Sequence, residues 1–431
     1  MLKVLVISSL PWRSDNSFGN TYSNWFSKIK GIELANIYLG EGLPTIDSPA
    51  KKFFQISEKA IARSVLKRHV SNNSIGRIVH PVVEEKFERE KDTSFYSKAL
   101  LLGKRYHPQS LYLIKEAIWK FGNINYDGVY SFIEEFKPDV IFMGLNYLCF
   151  LDRFGLKIYE KYKIPIVLEA AIDIYSLKQL SFNPFFWVKR FWVRYKSRQI
   201  CRVSKLLYVI SEEQRIDYSK YFNLPVKVMY KFPDRNRKKF DYSPHNSQLR
   251  YLFTGNIGIG RWKSLSILAS ALKTVGGGYL DIYTPTVLSA KQKRALNIEG
   301  VSYVHNPIPQ SQVIEEQNNA DILVHVESFN LKNKLEVRYS ISTKIMDYVS
   351  VGRCIFAIGP DDIASINYLK NNKLAVVASS YKEVLDRVKD LNGSPDTIVE
   401  YAQNNCSVIS SSLNEDKQKT EFFNDLSSIV D

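Results

Sequence analysis

Short, unbroken apolar runs alternate with stretches of helical period along this chain, and the alternation occurs twice, on either side of a polar segment. In the first half the runs fall at 3–8, 33–38, 139–144, 165–169 and 206–210. Amphipathic stretches such as 127–137 and 151–163 stand between them and stop short of prolines. Strands that are apolar throughout, separated by helices, are the pattern of a parallel sheet covered on both faces. Residues 231–248 are polar, charged and broken by two prolines, which marks a linker. Beyond them the pattern restarts, with runs at 249–254, 279–283, 302–304, 321–326, 354–358 and 374–377. The expectation is therefore an α/β chain of two Rossmann-like domains, 1–230 and 249–412, and a length of 431 residues suits two cores of that size. Residues 44–125, basic around Lys51–Arg68, fit the alternation poorly and are expected to form a helical insertion. The end of the chain, 413–431, reads as one more amphipathic helix, with Phe422, Phe423, Leu426 and Ile429 on one face, and is expected to pack back on the first domain.

Composition narrows the function classes. The four cysteines (Cys149, Cys201, Cys354 and Cys406) are scattered without a CxxC pair, which argues against a disulfide framework or a zinc site. No run of 18 apolar residues suggests a membrane span, and the N-terminus enters a strand without a secretory leader, so a cytoplasmic location is expected. The net charge of +15 is uneven: residues 1–240 hold 40 basic against 23 acidic side chains, and 241–431 hold 19 against 21. An acidic partner is expected on the first half. The basic residues follow no nucleic-acid-binding module, so no nucleic acid is expected. The stretch 184–196 interleaves Lys189, Arg190, Arg194 and Lys196 with Trp187, Phe191 and Trp192. It reads either as core or as a peripheral contact with an anionic membrane, and we favour the membrane.

Three segments of the second half carry polar groups where a parallel sheet binds ligands. In 253–265 a strand runs into a helix through Gly255, Asn256, Gly258 and Gly260, followed by Arg261 and Lys263. Glycines allow close backbone approach, and free N–H groups at the helix start favour phosphate. The spacing is neither GxGxxG nor a P-loop, and the plain alternative is a tight turn with surface basics. The second segment, 338–353, opens a helix at Ser342 or Thr343 and places Lys344 in its first turn, where the helix dipole disfavours a cation unless an anion binds there. Asp347 lies one turn further on. The third is the strand 321–326, ending in Glu327 and Ser328 at the edge where such sheets bind ligands.

In this order the three segments resemble the "group 1" family of retaining glycosyltransferases with the GT-B fold, and in particular a subgroup with an S-T-K-I-x-[DE]-Y motif, here Ser342-Thr-Lys-Ile-Met-Asp-Tyr348. The resemblance implies parallel-sheet domains facing across a cleft and a nucleoside diphosphate sugar as donor. Arg261 and Lys344 would act on the diphosphate. Gly255, Asn256, Gly258, Lys263, Glu327, Ser342 and Thr343 would line the donor site, and Asp347 would meet the nucleotide ribose. The family's first signature carboxylate would fall at Tyr339, a departure from the pattern, and Glu336 is out of register. In the first domain Gly19 matches the family's glycine near donor and acceptor. Asp173 remains from a His-Asp pair whose histidine position holds Ile172, and is the acceptor-side candidate.

The function these readings imply is metal-independent transfer of a sugar, with retention, to a glycan or lipid-linked acceptor in capsule, lipopolysaccharide or other surface polysaccharide synthesis, on the inner face of the cytoplasmic membrane. The rivals are an inactive GT-B scaffold subunit, made plausible by the missing carboxylate and histidine, and a sugar-nucleotide epimerase.

Overall fold

A computed structural model describes residues 1–66, 75–83, 109–233, 248–410 and 415–430. Most of the expected linker at 231–248, and much of 44–125, lie outside the described residues. Two compact units are present. The first holds residues 1–229 apart from 178–180, together with the C-terminal segment from Lys417, and the second runs from Tyr230 to Asp416 and includes 178–180.

The first unit is built on strands β1 (Leu2–Ser8), β2 (Ile32–Leu39), β3 (Lys52–Ile56), β4 (Gly76–Val79), β5 (Val140–Gly144), β6 (Ile166–Ala170), β7 (Ser204–Val209) and β8 (Val226–Val228). They form one sheet in the order β4-β3-β2-β1-β5-β6-β7-β8, parallel except for the β3–β4 pair. Val4, Leu5, Val6 and Ile7 of β1 are all fully buried, so both faces of the central strand are covered, as its unbroken apolar run requires. The sheet also corrects the reading of 44–125 as a helical insertion. Lys52–Ile56 pairs with β2 in register, Ala35 opposite Lys52, and buries Phe53 and Phe54. The segment begins with Lys52 and is interrupted by Gln55, so it lacks the unbroken apolar run of the other strands and its sequence gives little sign of a strand.

Among the described residues before the second unit, the helices of this unit are α1 (Ser17–Phe26), α2 (Glu58–Leu66), α3 (Gln109–Phe121), α4 (Tyr126–Phe136), α5 (Cys149–Tyr162), α6 (Pro184–Val203) and α7 (Glu212–Tyr221). Asn183 caps α6 by accepting from the Phe185 amide, and Pro184 occupies its first turn, where a missing N–H costs nothing.

Among its described residues the second unit has six strands, β9 (Leu249–Thr254), β10 (Gly278–Tyr283), β11 (Ser302–His305), β12 (Ile322–Val326), β13 (Cys354–Ile358) and β14 (Val376–Ala378). All pairs are parallel, in the order β11-β10-β9-β12-β13-β14. Counted within the unit, the strand order is 3-2-1-4-5-6, the doubly wound order. Its helices are α8 (Arg261–Val275), α9 (Ala290–Leu296), α10 (Gln310–Asn318), α11 (Leu331–Val337), α12 (Thr343–Val351), α13 (Ala364–Asn371), α14 (Tyr381–Gly393) and α15 (Pro395–Ser410). One face of the sheet packs a cluster with Leu265, Leu268 and Leu272 of α8, and the other a cluster with Ile345, Tyr348 and Val349 of α12.

The last helix, α16 (Glu415–Ser427), completes the core of the first unit. Phe422 packs edge-on against Phe26 at 5.1 Å, Tyr208 at 5.5 Å and Phe142 at 5.9 Å between ring centroids. Asp425 accepts from the Tyr208 hydroxyl at 2.7 Å and pairs with Lys227 at 2.5 Å. A buried aromatic at such a junction carries a large share of local stability. Phe422→Ala is expected to lower unfolding free energy by about 3–5 kcal/mol, read by urea denaturation. A loss below about 1 kcal/mol would mean that the helix is peripheral to the core.

Candidate functional site

In an open parallel sheet the strand order reverses at one point, and the loops leaving the two strands there diverge to leave a crevice. In the second unit that point lies between β9 and β12. The loop after β9 runs from Gly255 to Gly260 into α8, and the chain after β12 begins with Glu327 and Ser328. Gly255 has φ +133°, and a Cβ there would stand 1.9 Å from the Lys344 Nζ, so the ammonium lies directly on the bare backbone. Ile259 has φ +54°, a left-handed conformation that a β-branched side chain rarely adopts, and it sits in the same loop.

Arg261, the first residue of α8, donates through Nε at 3.1 Å and through one terminal nitrogen at 2.9 Å to the two oxygens of Glu327. Glu327 is buried, and its backbone carbonyl also accepts from the Ser264 hydroxyl at 2.7 Å. This fork fixes the guanidinium plane. Lys344, in the first turn of α12, approaches from the other face of the sheet. Its pKa is pushed down to about 8, first by burial and then by the Arg261 charge, with Glu327 and Asp347 opposing. Two cations thus share one crevice, and one of them is already engaged by the nearest carboxylate. No N-cap side chain bonds either helix start: α8 begins at Gly260 and α12 at Ser342. The Arg261, Trp262 and Lys263 amides donate to the carbonyls of Gly258, Ile257 and Gly260, so at the start of α8 it is the helix dipole, not free amides, that adds to the positive potential.

A further residue completes this cluster and was not singled out from the sequence. His325 on β12 is buried, and its pKa is held down to about 3 by burial, Arg261 and Lys344, so the ring is neutral. Its Nε2 has no hydrogen-bond partner among the described residues and lies 3.7 Å from the nearer Glu327 oxygen. The available signal was the His-x-Glu spacing at the end of a strand, which puts both side chains on one face.

The other expected residues divide. Asp347 faces the same end of the sheet as Lys344, but its carboxylate pairs with Lys231 at 2.8 Å. Asn256 accepts from the Gly258 amide at 2.6 Å and from the Thr286 hydroxyl at 3.2 Å, and so shapes the loop. Lys263 and Thr343 are exposed at their helix starts. Glu336 is exposed on α11, and Tyr339 is buried beside Arg338.

In the first unit, a Cβ on Gly19 would meet the backbone of Arg13 at 2.0 Å, so the glycine allows the loop after β1 to cross α1. Asp173 is 2% exposed. Its carboxylate pairs with Arg190 at 3.0 Å and accepts from the Tyr175 and Ser176 amides and the Ser176 hydroxyl. Arg190 also donates to the carbonyls of Asp173 and Ser176, both at 2.8 Å. This group ties the loop after β6 to α6, and it occupies the carboxylate that the sequence offered to an acceptor. The basic residues of 184–196 turn inward with it. Arg190 is buried, the Lys189 ammonium stands over the rings of Tyr112 and Tyr147, and Arg194 lies over Tyr175. What α6 shows to solvent is aromatic and aliphatic as far as Tyr195, with Arg198 and Arg202 exposed beyond it.

No protein-family model matches the chain, and no curated protein matches it. Solved structures do. Sucrose-phosphate synthase from Thermosynechococcus elongatus is similar at 9% identity and a TM-score of 0.57, over 98% of each chain. A UDP-forming α,α-trehalose-phosphate synthase from Burkholderia vietnamiensis is similar at 10% identity and a TM-score of 0.56, over 100% of this chain and 98% of that one. TarM is similar at 12% identity and a TM-score of 0.52, over 71% of this chain and 59% of its own. The chain therefore spans little more than half the length of TarM. With the two sheets described above, these likenesses show that the chain has the GT-B fold.

Holding the Lys344 ammonium in place costs the ligand-free protein stability. A lysine pKa lowered from 10.5 to about 8 corresponds to a penalty on the order of 3 kcal/mol at neutral pH. The sign follows from linkage: the penalty is fully present below pH 8, and it fades between pH 8 and 10.5, where the folded chain has released the proton that the unfolded chain still holds. Lys344→Met is expected to raise stability at pH 7 by about 2 kcal/mol, with the gain shrinking above pH 8. Urea unfolding across that range measures it. A variant no more stable than the parent at pH 7 would contradict the unfavourable burial.

Proposed function

We propose that the chain transfers a sugar from a nucleoside diphosphate sugar, and that the diphosphate sits in the crevice at the ends of β9 and β12. The observation that carries this reading is the convergence of the Arg261 and Lys344 charges at the starts of α8 and α12, where an anion would relieve their mutual repulsion. Diphosphate departure builds negative charge there, and preorganised cations stabilise charge where it develops. Glu327 orients the guanidinium, and neutral His325 stands ready to share a hydrogen bond without adding charge. We assign the neutralisation to these groups and give no step to a metal. Asp347, held by Lys231, is proposed to face the nucleotide ribose, with Ser342, Thr343, Gly255 and Gly258 around the phosphates.

The fold supports the reading, since proteins described as a UDP-forming synthase and a sucrose-phosphate synthase share it. A mutant of S. aureus TarM has been solved in complex with fondaparinux, alpha-GlcNAc-glycerol and UDP. Retention, a hexosyl donor and a place in surface polysaccharide assembly rest on the sequence resemblance. For the acceptor we propose a glycan or lipid-linked molecule at the inner face of the cytoplasmic membrane, met through the apolar face of α6. Among the described residues no helix is long and apolar enough to cross a membrane. The alternative of an inactive scaffold is favoured by Tyr339, a buried phenol where the resembling family carries its first carboxylate.

A panel of UDP, GDP, CDP and TDP decides between them by thermal stabilisation. One diphosphate is expected to raise Tm selectively, and Arg261→Ala and Lys344→Met to abolish the shift. With that nucleotide's sugar donor, Arg261→Ala is expected to lower turnover by about a hundredfold. Absence of a shift with every diphosphate would favour the scaffold. Lys344 adds a pH signature: affinity for the diphosphate falls as pH rises through about 8, because the free ammonium loses its proton there. Lys344→Arg, which stays charged, is expected to bind the nucleotide with a flat profile over pH 7–9, measured by calorimetry.

A further inference from the structure

Helix α6 carries two opposite faces. Arg190, Val193, Ser197, Ile200 and Cys201 are buried. Phe185, Val188, Phe191, Trp192 and Tyr195 are exposed, and at 100° per residue they form one stripe. Such a stripe of large apolar side chains on a surface is unusual and marks contact with another apolar phase.

Beside the stripe lies a partly open cavity of about 220 Å³ lined by α3, α6, Tyr147 and the start of α5. Its walls are mainly apolar: Leu113, Ala117, Phe121, Trp192 and Val193 contribute, and Phe121 and Trp192 belong at once to the cavity and to the exposed surface. Hydrocarbon surface thus runs without a break from the outside of α6 into the hole. The volume exceeds the roughly 150 Å³ of an apolar cavity known to admit benzene.

The same walls hold cations. Lys189 lines the cavity with its Nζ 3.3 Å from the centroid of Tyr112 and 4.3 Å from that of Tyr147, so two aromatic faces fix the ammonium. Lys120 also lines the cavity. The acidic residue of the lining, Glu116, is already engaged, pairing with Arg153 at 2.7 Å. An apolar hole with ammonium groups in its walls is complementary to a molecule that joins hydrocarbon to an anionic head.

We propose that this cavity receives the hydrocarbon chain of a phosphate-bearing lipid, whose head group meets Lys189 and Lys120. The inference deepens the proposed lipid-linked acceptor and rests on that reading for its biological role, but the binding itself can be measured separately. Lying in a bilayer surface on its stripe, α6 would carry the mouth of the cavity to the level of the head groups.

Decyl phosphate, below its micellar concentration, is the probe, titrated by calorimetry into the full chain. Saturable binding at one site is expected, with inorganic phosphate giving none. Ala117→Trp fills the cavity from an exposed helical position and is expected to weaken decyl phosphate binding at least tenfold, while wild-type Tm shows that the chain is folded. Lys189→Gln is expected to weaken decyl phosphate about tenfold and to leave uncharged decyl glucoside unchanged. Non-saturable binding, equal affinity for inorganic phosphate, or full affinity in Ala117→Trp would each overturn the proposal. The diphosphate panel reports on the second unit alone, so a failure of glycosyl transfer and a failure of lipid binding are read from different titrations.

Discussion

The Lys344 ammonium and the Arg261 guanidinium repel one another within a largely buried crevice, and the rest of the candidate site is arranged around that pair of like charges. Two cations do not share a buried space by chance, because each disfavours the charged form of the other. Here the arrangement is enforced by the fold. Arg261 is fixed by its fork on Glu327, α12 delivers Lys344 from the opposite face, and the bare backbone of Gly255 leaves room for the ammonium. His325 is neutral beside them, first because it is buried and then because a third charge there would be repelled by both.

The same logic of buried charge takes the opposite form in the first unit. Asp173 and Arg190 neutralise one another, and every oxygen of Asp173 has a donor in its own loop or in α6. A paired and hydrogen-bonded charge holds structure, whereas an unbalanced pair of cations invites a ligand. Satisfaction of the hydrogen bonds therefore separates a structural residue from a binding one more sharply than residue type does. The long reach of the chain matters too: α16 follows the second unit in sequence and finishes the core of the first, closing it with Phe422.

Much of the architecture was legible in the chain. The strands at 2–8, 140–144, 249–254, 322–326 and 354–358 lie within a residue or so of the apolar runs, because a strand buried on both faces must be apolar throughout. The segments carrying Gly255, Arg261, Glu327 and Lys344 were visible for the same reason, since each follows or precedes such a run. Strand β3 was hidden, being five residues inside a stretch with no repeating pattern. His325 was hidden because a lone histidine in an apolar strand looks like core.

The sequence by itself determined two parallel α/β sheets and the places where strands give way to glycines and cations, because periodicity and turn chemistry are local properties. Tertiary structure alone decided which charges are neutralised. Arg261 and Glu327 are 66 residues apart, Lys231 and Asp347 116 apart, and the contacts that silence Asp173 or expose the apolar face of α6 depend on helices packing from elsewhere in the chain. Burial and partnership are properties of three-dimensional neighbourhoods, so no reading of spacing along the chain contains them.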